Sequence, residues 1–172
     1  SGNLQTEEAT KMALVVPFIE ALGYSTWNPT EVVPEFIADV PMKKGEKVDY
    51  AIMSDGRPIM LIECKHVGVD LDKLPLAQLR RYFHVTEARV GVVTDGLVYR
   101  FYSDLEAKNV MDTRAFLEFD IRKIDEGMAS ELKRFAKSSF DLDSLLVAAE
   151  EMKYTRAIRK LLVEEFADPF GG

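Results

Sequence analysis

The spacing of apolar positions divides the chain into a helical start, a strand-rich middle and a helical end. Thr6 is placed to cap a helix whose first turn carries Glu7 and Glu8. Ala9, Met12, Ala13, Val16 and Ile19 supply its apolar stripe before Gly23 ends it, and Pro17 is expected to bend it. Residues 24–30 read as a polar turn region, and 31–36 as a strand that Pro34 confines to a sheet edge.

Alternation is clearest in 47–53, where Val48, Tyr50 and Ile52 take one side and Asp49 and Ala51 the other; 59–65 is a second strand. Ser54-Asp55-Gly56-Arg57-Pro58 between them is a turn. With Gly56 at the hairpin centre, Met53 opposes Ile59 and Asp49 opposes Glu63. Opposed side chains share a face with Cβ atoms about 5 Å apart, and Lys65, two residues beyond Glu63, falls on that same face. A helix is expected over 73–85, led by Pro75, with Gln78 and Tyr82 one turn apart. Residues 88–94 and 97–102 form a second hairpin around Asp95-Gly96, 115–119 a short strand, and 125–138, 144–152 and 155–166 helices. Together these elements describe one α/β domain, with the strands in 1–122 and a helical extension of the same domain in 123–172.

Composition narrows the picture. With 172 residues, 47% hydrophobic and 30% charged, the chain has the make-up of an ordinary globular domain with one core. No apolar run approaches the roughly 18 residues of a membrane span, and the first residues lack a signal-peptide pattern, so a cytoplasmic location is expected. Ser1-Gly2 in place of an initiator Met reads as an expression scar, and 168–172 as a tail or a cut in a longer protein. Cys64 is the single cysteine, which excludes an intrachain disulfide and a cysteine-rich zinc site; His66 and His84 are too few for a histidine-based one.

The net charge of −7 argues against a protein that coats DNA, because such affinity comes from Lys and Arg neutralising phosphates. Its distribution is uneven. Residues 41–100 hold ten bases and eight acids, whereas 1–40 hold one and six and 101–172 hold eleven and fifteen. The middle third is the least hostile to a polyanion.

That third also holds the candidate chemistry. Hydrolysing a phosphodiester needs a more acidic water and extra charge stabilisation at the phosphate, both of which a divalent metal supplies. A hard cation such as Mg²⁺ is held by one or two carboxylates plus waters and substrate oxygens. Asp49 and Glu63 fit that requirement, the carbonyl of Cys64 offers a further ligand, and Lys65 stands to orient the water or balance charge. Glu-x-Lys alone says little, since it also occurs at Glu106/Lys108, Glu131/Lys133 and Glu151/Lys153. Only Glu63 and Lys65 end an apolar run that follows an aspartate placed to face them. The competing reading is a cross-strand ion-pair cluster on an exposed sheet face. Arg80 and Arg81 are open to either a DNA backbone or a solvated role, Tyr82 to DNA contact or burial. Trp27 reads as a packing anchor and the seven methionines as core filling.

Five segments occur in a telling order: Thr6-Glu7-Glu8-Ala9-Thr10, then Pro17 and Leu22-Gly23-Tyr24, Lys47-Val48-Asp49-Tyr50, Ile62-Glu63-Cys64-Lys65, and Gln78-Leu79-Arg80-Arg81-Tyr82-Phe83. Over about residues 5–120 this order resembles the N-terminal nuclease domain of type I restriction enzyme R subunits, and the short restriction-endonuclease-like proteins of prophages, within the PD-(D/E)xK superfamily. The resemblance implies a restriction-endonuclease-like core, a mixed sheet flanked by helices, acting on double-stranded DNA. It makes Asp49 and Glu63 ligands of Mg²⁺, for which Mn²⁺ substitutes, and Lys65 the catalytic lysine. The family's helical acid falls on Glu7 or Glu8, with Glu8 preferred, and its Gln-x-x-x-Tyr motif on Gln78 and Tyr82, beside Arg81, as DNA contacts. Val48 stands where the superfamily has Pro. A whole R subunit continues into a motor, but this chain has no phosphate-binding Gly-x-x-x-x-Gly-Lys-Ser/Thr loop. A motor or specificity subunit is an expected partner, and a homodimer is left open. A non-catalytic module for DNA binding or subunit docking, and an enzyme for RNA or branched DNA, are the alternatives.

Overall fold

The computed structural model describes residues 4–38 and 44–167. Its centre is one six-stranded mixed sheet in chain order: β1 (Val32–Phe36), β2 (Val48–Ser54), β3 (Arg57–Cys64), β4 (Val90–Thr94), β5 (Val98–Tyr102) and β6 (Leu117–Asp120). All neighbours are antiparallel except β3 and β4, which run parallel and so need a crossover. The chain is an α/β protein of restriction-endonuclease-like architecture. None of its helices is long and apolar enough to cross a membrane among the described residues.

The first helix, α1 (residues 7–21), is capped by Thr6, whose Oγ1 accepts the amide of Ala9 at 3.1 Å. Its middle, Lys11–Val15, is a π-helical turn in which the amide of Val16 reaches back to the carbonyl of Lys11. The wide turn lies just before Pro17, which has no amide to donate. One extra residue in a turn rotates the remainder of the helix by about 100°. The expected stripe is displaced accordingly: Thr10, Lys11, Val15 and Ile19 are buried, while Met12 and Ala13 are exposed.

The β2–β3 hairpin corrects the expected register near its tip. Asp55 and Gly56 both have positive φ and form a two-residue turn, so Ser54 pairs with Arg57 and Met53 with Pro58, not with Ile59. A bulge then takes up Ile59, and Ile52 pairs with Met60, Ala51 with Leu61 and Tyr50 with Ile62. The turn is one residue tighter than expected and the bulge restores that residue, so the register towards Asp49 and Glu63 is the expected one.

Pro75 does not sit inside its helix. It forces Leu74 into an extended conformation, which separates a 3-10 turn (Leu71–Lys73) from α2 (Ala77–Val85). Leu79, Tyr82 and Phe83 of α2 cover one face of the sheet with Leu61, Ala51 and Val93. Gly91 of β4 faces this layer, and a Cβ there would stand 3.1 Å from Sδ of Met111, tighter than ordinary contact.

The other face packs Ile52, Met60, Ile62, Tyr99 and Phe101 against Val15 and Ile19 of α1. Two C-terminal helices complete that layer: α3 (Glu126–Leu132), capped by Asp125, and α4 (Leu142–Ala167). Helix α4 is unbroken where two helices were expected, since no Pro or Gly interrupts it. Leu145 and Ala149 reach the core, whereas the second half of α4 is exposed throughout.

Candidate active site

The site lies where β2 begins and β3 ends, at one end of two inner strands of the sheet. Asp49 is the second residue of β2 and Glu63 the penultimate residue of β3. Extending the Tyr50–Ile62 pairing by one position sets them opposite each other. The amide of Cys64 donates to Oδ2 of Asp49 at 2.7 Å, which fixes the carboxylate across the two strands. Lys65 continues β3 by one residue, its amide bonded to the carbonyl of Thr94 at 2.8 Å. Its Nζ donates to Oε1 of Glu63 at 2.9 Å. The three residues singled out from sequence meet in one cluster.

Helix α1 brings three more charges. Lys11, at the start of the π turn, has its side chain 9% exposed, and its Nζ lies 2.6 Å from Oδ1 of Asp49, 2.9 Å from Glu8 and 3.3 Å from Glu7. The other oxygen of Glu7 is 3.7 Å from Nζ of Lys65. Glu7 therefore spans both lysines, whereas Glu8 touches only Lys11 and is 78% exposed. Thr10 braces the helix here: its Oγ1 accepts the amide of Val67 at 3.2 Å, and its methyl group leaves no room for a Cβ on Gly96.

Burial, reinforced by the charge of Asp49, raises the carboxyl of Glu63 above its ordinary value, despite the bond from Lys65. Burial is the largest single influence on Lys65 and disfavours its charge, but the bond to Glu63 together with the charges of Glu63, Glu7 and Asp49 outweighs it and keeps the ammonium protonated. Lys11 behaves in the same way, with Asp49 as its main stabilising partner. Oε2 of Glu63 is buried and has no hydrogen-bond partner. Among the described residues no three His, Cys, Asp or Glu side chains are gathered into a metal cage. A hard cation needs fewer protein ligands than that, and an unpartnered carboxylate oxygen beside Asp49 fits its donor preference.

Gln78, Arg81 and Tyr82 are turned to a common task. The Gln78 side-chain amide donates to the carbonyl of Lys47, and the hydroxyl of Tyr82, which is fully buried, donates to that of Glu46 at 2.7 Å. Arg81 forms a two-nitrogen ion pair with the Glu46 carboxylate. Helix α2 thus clamps the two residues that lead into β2 and Asp49.

The profile of the family described as Type I restriction enzyme R protein N terminus matches residues 6–115. The chain belongs to that family. No curated protein and no solved structure matches it. The matched span of this R-protein N-terminal domain runs from the cap of α1 to just before β6, so it contains every charged residue of the cluster.

Sequence reasoning missed Lys11 in this R-protein N-terminal domain. A regular helix carries position 11 away from the stripe formed by Ala9, Met12 and Ala13, and the buried face is instead the one it shares with Val15 and Ile19, four and eight residues on. The other candidates take simpler places. Cys64 gives its amide to Asp49 and buries its thiol, whose deprotonation burial opposes. Arg80 and His66 are exposed. Trp27 is 89% exposed and is no packing anchor: the turn around Asn28 is held by Glu31 instead. Met60 and Met111 fill core, whereas Met12 is on the surface and Met42 lies outside the described residues.

Proposed function

We propose that this domain is a divalent-metal-dependent DNA endonuclease of restriction type. The observation that carries the proposal is the convergence of Asp49, Glu63 and Lys65 at the adjoining ends of β2 and β3, with Oε2 of Glu63 buried and unpartnered. Asp49 and Glu63 would hold the cation, Mg²⁺ or Mn²⁺, with Glu7 better placed than Glu8 as the helical acid. When bound, the ion makes an attacking water more acidic and neutralises charge on the scissile phosphate. Asp49 is held in orientation by the Cys64 amide. Lys65 keeps a protonated ammonium beside Glu63, where it stabilises the negative charge that develops on the phosphate oxygens.

Double-stranded DNA is the proposed substrate, foreign or wrongly methylated DNA the proposed target, and a motor or specificity subunit the proposed partner. Family membership supports this context. Gln78, Arg81 and Tyr82 serve cleavage by fixing the segment before Asp49, whether or not Gln78 and Arg81 also meet DNA. Incubation of supercoiled plasmid with Mg²⁺ or Mn²⁺ tests the proposal. The wild type is expected to nick or linearise it, with Glu63→Ala and Lys65→Ala slower by about 10²-fold or more. Cleavage that persists in both variants assigns it to another source.

A second reading, a non-catalytic module for DNA binding or subunit docking, draws support from one observation: Asp49, Gln78 and Tyr82 are all engaged within the chain. It predicts binding of DNA or protein that is indifferent to the loss of Asp49, and no Mn²⁺ affinity in calorimetry.

A further inference from the structure

We propose that Lys11 holds the place of a divalent cation on Asp49 and passes to Glu8 and Glu7 when the metal arrives. This rests on the metal-dependent reading above. The three protons of the Lys11 ammonium meet carboxylates from three residues, at 2.6, 2.9 and 3.3 Å, in a side chain only 9% exposed. A lysine is found so deep only when its charge is paired. Glu7, Glu8, Asp49 and Glu63 against Lys11 and Lys65 leave the cluster two negative charges in excess, the amount that one divalent ion neutralises.

Asp49 cannot easily serve both cations. Oδ2 takes the Cys64 amide and Oδ1 takes Lys11, so a metal joining Asp49 comes within about 4 Å of an ammonium, where like charges repel strongly. Lys11 has somewhere to go. Two of its three partners are on its own helix, three and four residues back, and Glu8 is largely in solvent. Leaving Asp49 costs Lys11 one contact of three and clears the carboxylate. Before the metal arrives, the same contact offsets part of the charge that Asp49 presents to Glu63.

Calorimetry with Mn²⁺ on the full chain tests this. Lys11→Met keeps the length of the side chain and removes its charge; it is expected to bind Mn²⁺ about tenfold more tightly than wild type. Lys11→Arg, which restores the charge, is expected to return the affinity towards wild type. Unchanged or weaker binding in folded Lys11→Met overturns the proposal. Should that variant fail to fold, reductive methylation of the wild type, read by mass spectrometry, decides it. Saturating Mn²⁺ is expected to raise modification of Lys11 several-fold relative to exposed Lys73, and an unchanged or lower rate overturns it. A wild type that binds no Mn²⁺ removes the metal-dependent reading itself, whereas equal binding by wild type and Lys11→Met removes only the role of Lys11.

Discussion

The amide of Cys64 and the carboxylate of Asp49 lie 2.7 Å apart and tie the end of β3 to the start of β2. Lys11 holds the second oxygen of that carboxylate, so Asp49 has a structural duty in the metal-free protein. Asp49→Ala leaves a buried ammonium and a strand-end amide without this partner, and is expected to cost about 3 kcal/mol. Asp49→Asn still accepts the Cys64 amide and is expected to cost about 1 kcal/mol. Urea unfolding in the presence of a chelator measures both; equal losses contradict the assignment.

Glu63 is expected to make stability depend on pH. Burial and the charge of Asp49 raise its carboxyl above the ordinary range, so the folded chain binds a proton that the unfolded chain has released. Between the ordinary value and the raised one, stability therefore falls as pH rises; below that window the penalty is absent and above it complete. Without divalent ions, Glu63→Gln is expected to be more stable than wild type at neutral pH and equal to it in acid. Urea unfolding across pH 4 to 7 checks this. An advantage that does not vary with pH contradicts it.

Tyr82→Phe removes one hydrogen bond, to the Glu46 carbonyl, and is expected to cost about 1 kcal/mol. If α2 acts by clamping the approach to Asp49, Tyr82→Phe and Gln78→Ala slow plasmid cleavage while leaving DNA affinity unchanged. Mobility-shift titration in Ca²⁺ alongside cleavage in Mg²⁺ separates the two effects. Parallel loss of affinity gives Gln78 and Tyr82 to the DNA instead.

The strands were legible because period-two alternation and the Asp55-Gly56 and Asp95-Gly96 turns are local signals. The Asp49–Glu63 register was legible only through two cancelling displacements: a turn one residue tighter than expected and a bulge at Ile59 that restores the residue. Bulges leave little trace in sequence, as does the π turn at Lys11–Val15. Whether Tyr82 faces solvent or core was open for the same reason, since helical spacing fixes neighbours along α2 and not the orientation of the helix on the sheet. Helix α4 was expected as two helices, although nothing between 152 and 155 breaks one.

Anomalous diffraction from crystals soaked in Mn²⁺ tests most directly whether Asp49 and Glu63 share a cation. A peak within coordination distance of both carboxylates, absent from Glu63→Ala crystals, is the predicted result. Saturating Mn²⁺ that leaves no peak there, or peaks only elsewhere, would contradict a metal-dependent site at the ends of β2 and β3.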